Sequence, residues 1–164
     1  LLALGTADQV AVISMGGPPV IVQQNERELY AIGFDGPILY LAAIKQRGTP
    51  TLTFQAIDAS SGAVLNTSPE VGNSSSSLDP DVPRWAILPG QGLLVGSQSL
   101  DDDDTIVLQL FAADGTVRWT YSKSMFIGSL PTIHLDGNRV LFSTSDFTTV
   151  LDARTGTVLW EIEH

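Results

Sequence analysis

The sequence predicts an all-β protein built from repeated hairpins, and three observations support this prediction. Apolar residues alternate with polar ones in the stretch TIVLQLFA, which places Ile106, Leu108, Leu110 and Ala112 on one face. No long run shows the spacing of three and four residues between apolar side chains that is typical of an amphipathic helix. The third observation is a turn motif near the end of the chain, LDARTGTVLW, which recurs twice upstream.

Each copy of the turn motif centres on a glycine between two apolar runs. Glycine accepts positive φ without strain, so a glycine at such a point indicates a tight hairpin turn. The copies are QAIDASSGAVLN, QLFAADGTVRW and LDARTGTVLW, and we name their glycines the turn glycines: Gly62, Gly115 and Gly156. The last two lie 41 residues apart, and the first lies a further 53 residues upstream. Four positions after each glycine is the plus-four column: Asn66, Trp119 and Trp160.

The repeat extends upstream of the turn. Aligned on the glycine without gaps, the copies carry an apolar residue five positions earlier: Ile57, Leu110 and Leu151. Asp58 and Asp152 share the next column, in which the middle copy has Phe111. A second hairpin precedes each copy, at GFDGPILYLAAI, LPGQGLLVGS and HLDGNRVLFS. Two hairpins per repeat predict four strands in about 40–45 residues, which is the length of one propeller blade.

The copies follow a pattern that begins with an Asp or small residue, continues as x-x-T/S/D-G and ends in x-V-x-W. This pattern resembles the PQQ-like repeat of the quinoprotein-dehydrogenase-like β-propellers. The last copy, ending at Trp160, is closest to this pattern, and the others depart from it at Phe111 and Asn66. The resemblance implies that Trp119 and Trp160 are structural residues, each buried between neighbouring blades. We therefore predict a β-propeller segment of about three four-stranded blades plus a partial N-terminal blade.

The predicted blades divide the chain into five segments. They are a partial blade at residues 1–25, blade one at 26–70, a Ser/Asp-rich insertion loop at 71–81, blade two at 82–128 and blade three at 129–164. So few blades cannot close a ring, and they leave strand edges and apolar faces that soluble proteins normally cover. We therefore expect further blades of the same propeller, a protein partner, or self-association.

Composition narrows the class of partner. The 164 residues include 8 Lys and Arg against 18 Asp and Glu, for a net charge of −10. A chain with so few basic side chains cannot neutralise phosphates, so we predict no nucleic-acid partner and no binding to an anionic membrane surface. No apolar run reaches the roughly 18–20 residues that a membrane-spanning helix requires. Loops rich in Ser, Thr and Asn, with few lysines, favour an extracellular or periplasmic location.

The candidate metal site is the acidic run Asp101, Asp102, Asp103 and Asp104, which we place in the turn between the second and third strands of blade two. Carboxylate oxygens are the ligands that Ca²⁺ prefers. Consecutive side chains point in different directions, however, and the D-x-D-x-D-G spacing of a calcium loop is not present. The alternative is a solvated acidic turn.

The resemblance also raises quinone chemistry. It implies that a quinoprotein dehydrogenase would need a Ca²⁺ ion held by Glu, Asn and Asp, an aromatic platform beneath PQQ, and a catalytic Asp. Trp85 is a candidate platform, with packing in the core as its alternative. The chain has no cysteine, which excludes the vicinal disulfide found in many such enzymes.

We expect no catalytic residue and no cofactor, and we predict a non-catalytic module for protein binding or scaffolding. Two alternatives stay open at this point. The chain could be a fragment of a PQQ- and Ca²⁺-dependent dehydrogenase, or a structural subunit of a multi-chain assembly.

Overall fold

The computed structural model describes residues 1–6, 8–13, 17–24, 27–45, 51–69, 85–98, 105–124 and 132–164. Within these ranges every helix or strand is a β-strand, and the strands in chain order are β1 (Leu2–Thr6), β2 (Gln9–Ile13), β3 (Val20–Gln23), β4 (Arg27–Asp35), β5 (Ile38–Lys45), β6 (Thr51–Asp58), β7 (Val64–Thr67), β8 (Trp85–Leu88), β9 (Gly92–Gln98), β10 (Thr105–Phe111), β11 (Val117–Ser124), β12 (Thr132–Asp136), β13 (Arg139–Ser143), β14 (Phe147–Asp152) and β15 (Val158–Glu163).

The strands form one three-stranded sheet and three four-stranded sheets. Strands that follow one another in the chain pair antiparallel: β1 to β3 form the N-terminal sheet, β4 to β7 blade one, β8 to β11 blade two and β12 to β15 blade three. A four-stranded up-and-down sheet is the strand arrangement of a propeller blade. The all-β class and the blade-like sheets predicted from the repeat are therefore confirmed.

The chain divides into two compact units, each with its own apolar core. The first unit comprises Leu1–Ser75 with Ala113–Thr116, and the second comprises Ser76–Ala112 with Val117–His164. In the first unit the N-terminal sheet packs on blade one around buried side chains that include Val10, Val12, Leu39, Leu41 and Ile57. In the second unit blade two packs on blade three around Leu94, Leu108, Leu110, Phe142 and Leu151, among others. Burying a side chain of this size stabilises a fold by about 1.5–3 kcal/mol.

The motif turn of blade two is one residue shorter than the other two motif turns. The pairs of strand residues that close the three turns are Ile57 with Val64, Phe111 with Val117, and Leu151 with Val158. The gap-free alignment was therefore wrong on the upstream side of the turn. Phe111 is a strand residue that occupies the place assigned to Leu110, and it does not replace an aspartate.

A different aspartate organises the shorter turn. In blade three, Asp152 Oδ1 accepts hydrogen bonds from the backbone N–H of Arg154 at 2.9 Å and of the following residue at 3.0 Å. Asp58 makes the same pair of contacts in blade one, at 2.8 and 3.0 Å. In blade two the acceptor is Asp114, one position before the glycine, and it takes the N–H of Thr116 at 3.0 Å. An Asx side chain that accepts from N–H groups two or three residues later stabilises such turns.

Candidate docking site

The turn glycine of blade three leaves space for a side chain of blade two, which lies directly against it. We call a turn glycine covered in this way a seat. Gly156 has φ of 69°, and a Cβ atom added to it would lie 2.7 Å from the Trp119 indole. Trp119 Nε1 donates a hydrogen bond to the carbonyl of Ala153, in the same turn, at 3.1 Å. The indole is only 8% exposed. Glycine is required at this turn both for its positive φ and for the space that the ring occupies.

The first unit contains two further seats of the same kind. Asn66 lies against Gly115, and its Nδ2 donates to the carbonyl of Asp114. Val20, on β3, lies where a Cβ atom on Gly62 would come within 2.7 Å of its Cγ1. A side chain on the outer strand of one sheet thus covers the turn glycine of the next sheet along the chain in all three cases.

Trp160 occupies the same column as Trp119 and has a different environment. It is 51% exposed, whereas Trp119 is 8% exposed. The expectation that both tryptophans are buried was therefore wrong for Trp160. The physical reason lies in the seats: the three turn glycines are already covered by Val20, Asn66 and Trp119.

Trp160 belongs to a cross-strand row of blade three. Directly opposite residues of paired strands lie on one face of a sheet, and the register places Trp160 beside Val150, Leu141 and His134 in turn. The neighbouring row of this face comprises Ile162, Thr148, Ser143 and Thr132. We name these two rows the outer face of blade three. Ile162 and His134 are exposed, and Leu141 and Val150 are half-buried.

The opposite face of blade three is buried in the core of the second unit. Its central row contains Ile133, Phe142 and Thr149, all of them buried, and it ends at Glu161 on β15. Blade three therefore has one covered face and one open face, and the open face carries Trp160.

Polar contacts hold β15 in place, although all six of its residues are exposed. Glu161 Oε1 forms an ion pair with Lys123 Nζ at 2.5 Å. Its Oε2 accepts hydrogen bonds from the Thr149 hydroxyl at 2.7 Å and from the Tyr121 hydroxyl at 2.9 Å. Because Glu161 is the next residue after Trp160, these contacts fix the backbone that presents the indole.

The electrostatics of this cluster favour an ionised Glu161. Hydrogen bonding to Lys123, then to Thr149 and Tyr121, lowers the pKa of Glu161 to about 2. Burial is the main cause that raises the pKa of Tyr121. Lys123 also lies 4.5 Å from the centre of the Phe147 ring, in cation–π geometry. Lys123 also pairs with Glu163 at 3.4 Å, so this ammonium binds two carboxylates of β15 and ties that strand to β11.

Among the residues that the structure describes, no three His, Asp or Glu side chains come together in a group that could hold a metal ion. Asp101, Asp102, Asp103 and Asp104 fall between β9 and β10, outside the described residues. Trp85 is half-buried on β8, paired with Val95 of β9. The described segments contain no helix long and apolar enough to cross a bilayer.

Sequence reasoning missed the rest of the outer face and the Glu161 cluster. Leu141, Val150 and Ile162 pair with residues that lie 7, 9 and 14 positions upstream, namely His134, Leu141 and Thr148. No local pattern encodes this register. The contacts of Glu161 with Lys123 and Tyr121 join residues 38 and 40 positions apart. The alternation in each strand gave the only available signal, since it marks which residues share a face without saying which face stays open.

Among known proteins, this chain has matches with solved structures. No family model and no curated protein matches the sequence. Among solved structures, the chain is similar to a europium-containing methanol dehydrogenase, with 16% identity and a TM-score of 0.47. The match covers 82% of this chain, which spans 26% of the length of that protein. The chain is an all-β protein whose four-stranded antiparallel sheets have the strand order of propeller blades.

Proposed function

We propose that this chain is a non-catalytic, protein-binding propeller module whose blade three docks a further blade. The observation that carries the proposal is the difference between two tryptophans in one repeat column. Trp119 is seated on a turn glycine, and Trp160 is exposed on an ordered strand with no seat among the turn glycines described above. An exposed indole amid half-buried apolar neighbours is typical of a protein interface.

The internal seat defines the chemistry of the partner. The partner must present a hairpin turn with a glycine of positive φ, because a Cβ atom there would collide with the ring. It must also present a backbone carbonyl to the indole N–H, as Ala153 does for Trp119 at 3.1 Å. Around this turn it needs an apolar sheet face to cover Ile162 and Val150. A further blade of the same repeat type meets all these requirements.

Site-specific photo-crosslinking tests the proposal. A benzophenone amino acid is placed at position 160, and the protein is irradiated in the cells that produce it. We expect a covalent adduct with a polypeptide, and peptide sequencing by mass spectrometry should locate the crosslink in a glycine-containing hairpin. Position 159 is the matched control, since Leu159 is exposed on the same strand and corresponds to the charged Arg118 of blade two.

The proposal fails if position 160 gives no polypeptide adduct, or if positions 159 and 160 give the same adducts. A crosslink to an irregular surface without a hairpin would also contradict it, because the seat requires a turn. The unfolding curve of the unirradiated variant shows that its fold is unchanged.

We further propose that the module works outside the cytosol, in the extracellular or periplasmic space. Serine-, threonine- and asparagine-rich loops and the scarcity of lysine support this location. Fractionation of the producing cells, with the protein detected by an antibody, tests it. Recovery with the cytosolic fraction would contradict the proposal.

A further inference from the structure

The contact between blades two and three extends beyond the seat of Trp119. Two residues further along β11, the Tyr121 hydroxyl lies 3.1 Å from the Thr149 hydroxyl and donates to Glu161 Oε2 at 2.9 Å. Thr149 and Glu161 stand directly opposite each other on β14 and β15. We name these two residues the receiving pair of blade three. A polar side chain of blade two thus meets a polar receiving pair.

The other two blades have polar residues at the equivalent positions. The register places Gln55 opposite Thr67 in blade one and Gln109 opposite Thr120 in blade two. In all three blades the second member of the pair comes directly after the plus-four residue. The pair of blade one is also met by a polar group, since Gln55 Nε2 donates to Gln24 Oε1 at 3.2 Å.

Blade three departs from this pattern on its own outer face. Six positions after the turn glycines the residues are Ser68, Tyr121 and Ile162. Ile162 therefore stands where blade two presents a hydroxyl, and it is 44% exposed. A blade that docks on Trp160 as blade three docks on Trp119 places its receiving pair against Ile162. A carboxylate, amide or hydroxyl buried against an aliphatic side chain loses its hydration without gaining a hydrogen bond, which costs free energy.

The hydroxyl beside Ile162 is engaged within blade three. It belongs to Thr148, which stands directly opposite Ile162 in the register. Thr148 Oγ1 lies 2.8 Å from Ser143 Oγ and 3.0 Å from His164 Nε2. The blade therefore satisfies this hydroxyl itself and presents an apolar side chain to the docked blade.

We propose that the blade docked on blade three has an apolar receiving pair, and that Ile162 is the residue that selects it. This inference rests on the proposed docking function and specifies the partner more closely. It excludes blades of the three types in this chain, because all their receiving pairs are polar: Gln55 with Thr67, Gln109 with Thr120, and Thr149 with Glu161.

The sequence of the hairpin that crosslinks to position 160 provides the first test. In this chain the members of a receiving pair stand five positions after the turn glycine and six or seven positions before it. We expect aliphatic or aromatic residues without polar atoms at both positions of the captured hairpin. A polar residue at either position would overturn the inference and leave the docking function intact. The absence of any adduct would overturn both.

Two substitutions at position 162 test the selecting residue. Ile162→Tyr introduces the hydroxyl that blade two has in this column, and Ile162→Leu keeps an aliphatic side chain of similar size. On an apolar receiving pair the new hydroxyl would be buried without an acceptor. The yield of the position 160 adduct should therefore fall at least about 10-fold in Ile162→Tyr and stay unchanged in Ile162→Leu. Equal yields from the two variants would overturn the inference.

The reciprocal change can be made inside the chain. Tyr121→Ile places isoleucine over the polar receiving pair of blade three, and it should lower the melting temperature by about 2–4 °C. The same substitution should leave the melting temperature unchanged in a chain whose pair is made apolar by Thr149→Val and Glu161→Leu. Equal losses in the two backgrounds would show that isoleucine in this column does not distinguish polar from apolar pairs, which also overturns the inference.

Discussion

Blades two and three place the same kind of cross-strand row in opposite environments. In blade two the row Leu94, Leu110 and Trp119 is buried, with exposures of 0%, 0% and 8%. In blade three the row Leu141, Val150 and Trp160 is half-buried to exposed, although its strands pair in the same register. The environment of the plus-four residue is therefore decided by the turn of the next sheet and not by its own strand. A tryptophan in this column is buried when it covers the turn glycine of the next sheet and exposed when it does not.

The largest expected effect is the loss of the seated indole. Trp119→Ala removes a buried ring and its hydrogen bond to Ala153, and we expect it to lower the free energy of unfolding by about 3–5 kcal/mol. Trp160→Ala should change it by no more than about 0.5 kcal/mol in the monomer, since the ring is half exposed. Urea denaturation of the two variants at low protein concentration measures both values. Equal losses would break the comparison.

A methyl group on the turn glycine would occupy the space that the Trp119 ring fills. Gly156→Ala adds a methyl group into the Trp119 ring at a position with φ of 69°. Gly137→Ala is the matched control, because its φ is 56° and a Cβ atom there meets nothing within 4 Å. Backbone strain should cost both variants about 1–2 kcal/mol. Overpacking should cost Gly156→Ala about 1–3 kcal/mol more.

The excess cost at Gly156 should disappear when the ring is removed. In a Trp119→Ala background, Gly156→Ala and Gly137→Ala should destabilise the protein equally, as measured by the same urea denaturation. An excess that persists without the indole would show that the turn, and not the seat, demands glycine.

A smaller effect concerns pH and the anchoring of β15. Because the folded-state pKa of Glu161 is lowered from 4.5 to about 2, its contribution to stability is complete above pH 4.5 and is lost as pH falls towards 2. Glu161→Gln removes this contribution. The difference in unfolding free energy between wild type and variant should therefore shrink over that interval. Since the side chain lies at the surface, we expect a difference of at most about 1 kcal/mol at neutral pH. A difference that stays constant with pH would contradict the assignment.

The last prediction is that PQQ and Ca²⁺ have no effect on the protein. An exposed indole could also serve as the aromatic platform of a quinone, and a titration with PQQ and Ca²⁺ separates this role from docking. We expect no dye reduction with alcohols or aldoses. The fluorescence of Trp160 is obtained as the difference between the wild type and Trp160→Phe. It should not change on titration with PQQ and Ca²⁺. Quinone-dependent dye reduction would favour a catalytic role over docking.

Local patterns were sufficient to predict the strands and their grouping. Alternation and turn glycines indicated hairpins, and the distance between the glycines indicated four strands per repeat. Within the described residues, the alignment upstream of the turn glycine of blade two was assigned incorrectly. The shorter turn of blade two shifted the alignment by one residue, and the sign of this shift was Phe111 in a column otherwise occupied by aspartate.

The exposure of Trp160 could not be predicted from the sequence. Trp119 and Trp160 stand at identical distances from their glycines, and their strands have similar local sequences, VRW and VLW. Burial depends on which sheet lies opposite, and that is a property of the tertiary structure. The Glu161 cluster escaped notice for a similar reason, because its partners come together only when β11 packs beside β14 and β15.

The tolerance of the seat has a consequence for protein engineering. Val20, Asn66 and Trp119 differ in size and polarity, yet each covers a turn glycine. The tripeptide Gly-Thr-Val occurs at residues 115–117 and again at 156–158, so a cut after either threonine leaves identical ends. A duplicated copy of residues 117–157, inserted after Thr157, would extend the chain by one cassette of 41 residues and recreate the contact of Trp119 with Gly156 at the new junction. Chains of graded length could thus be made from one template without the design of a new joint.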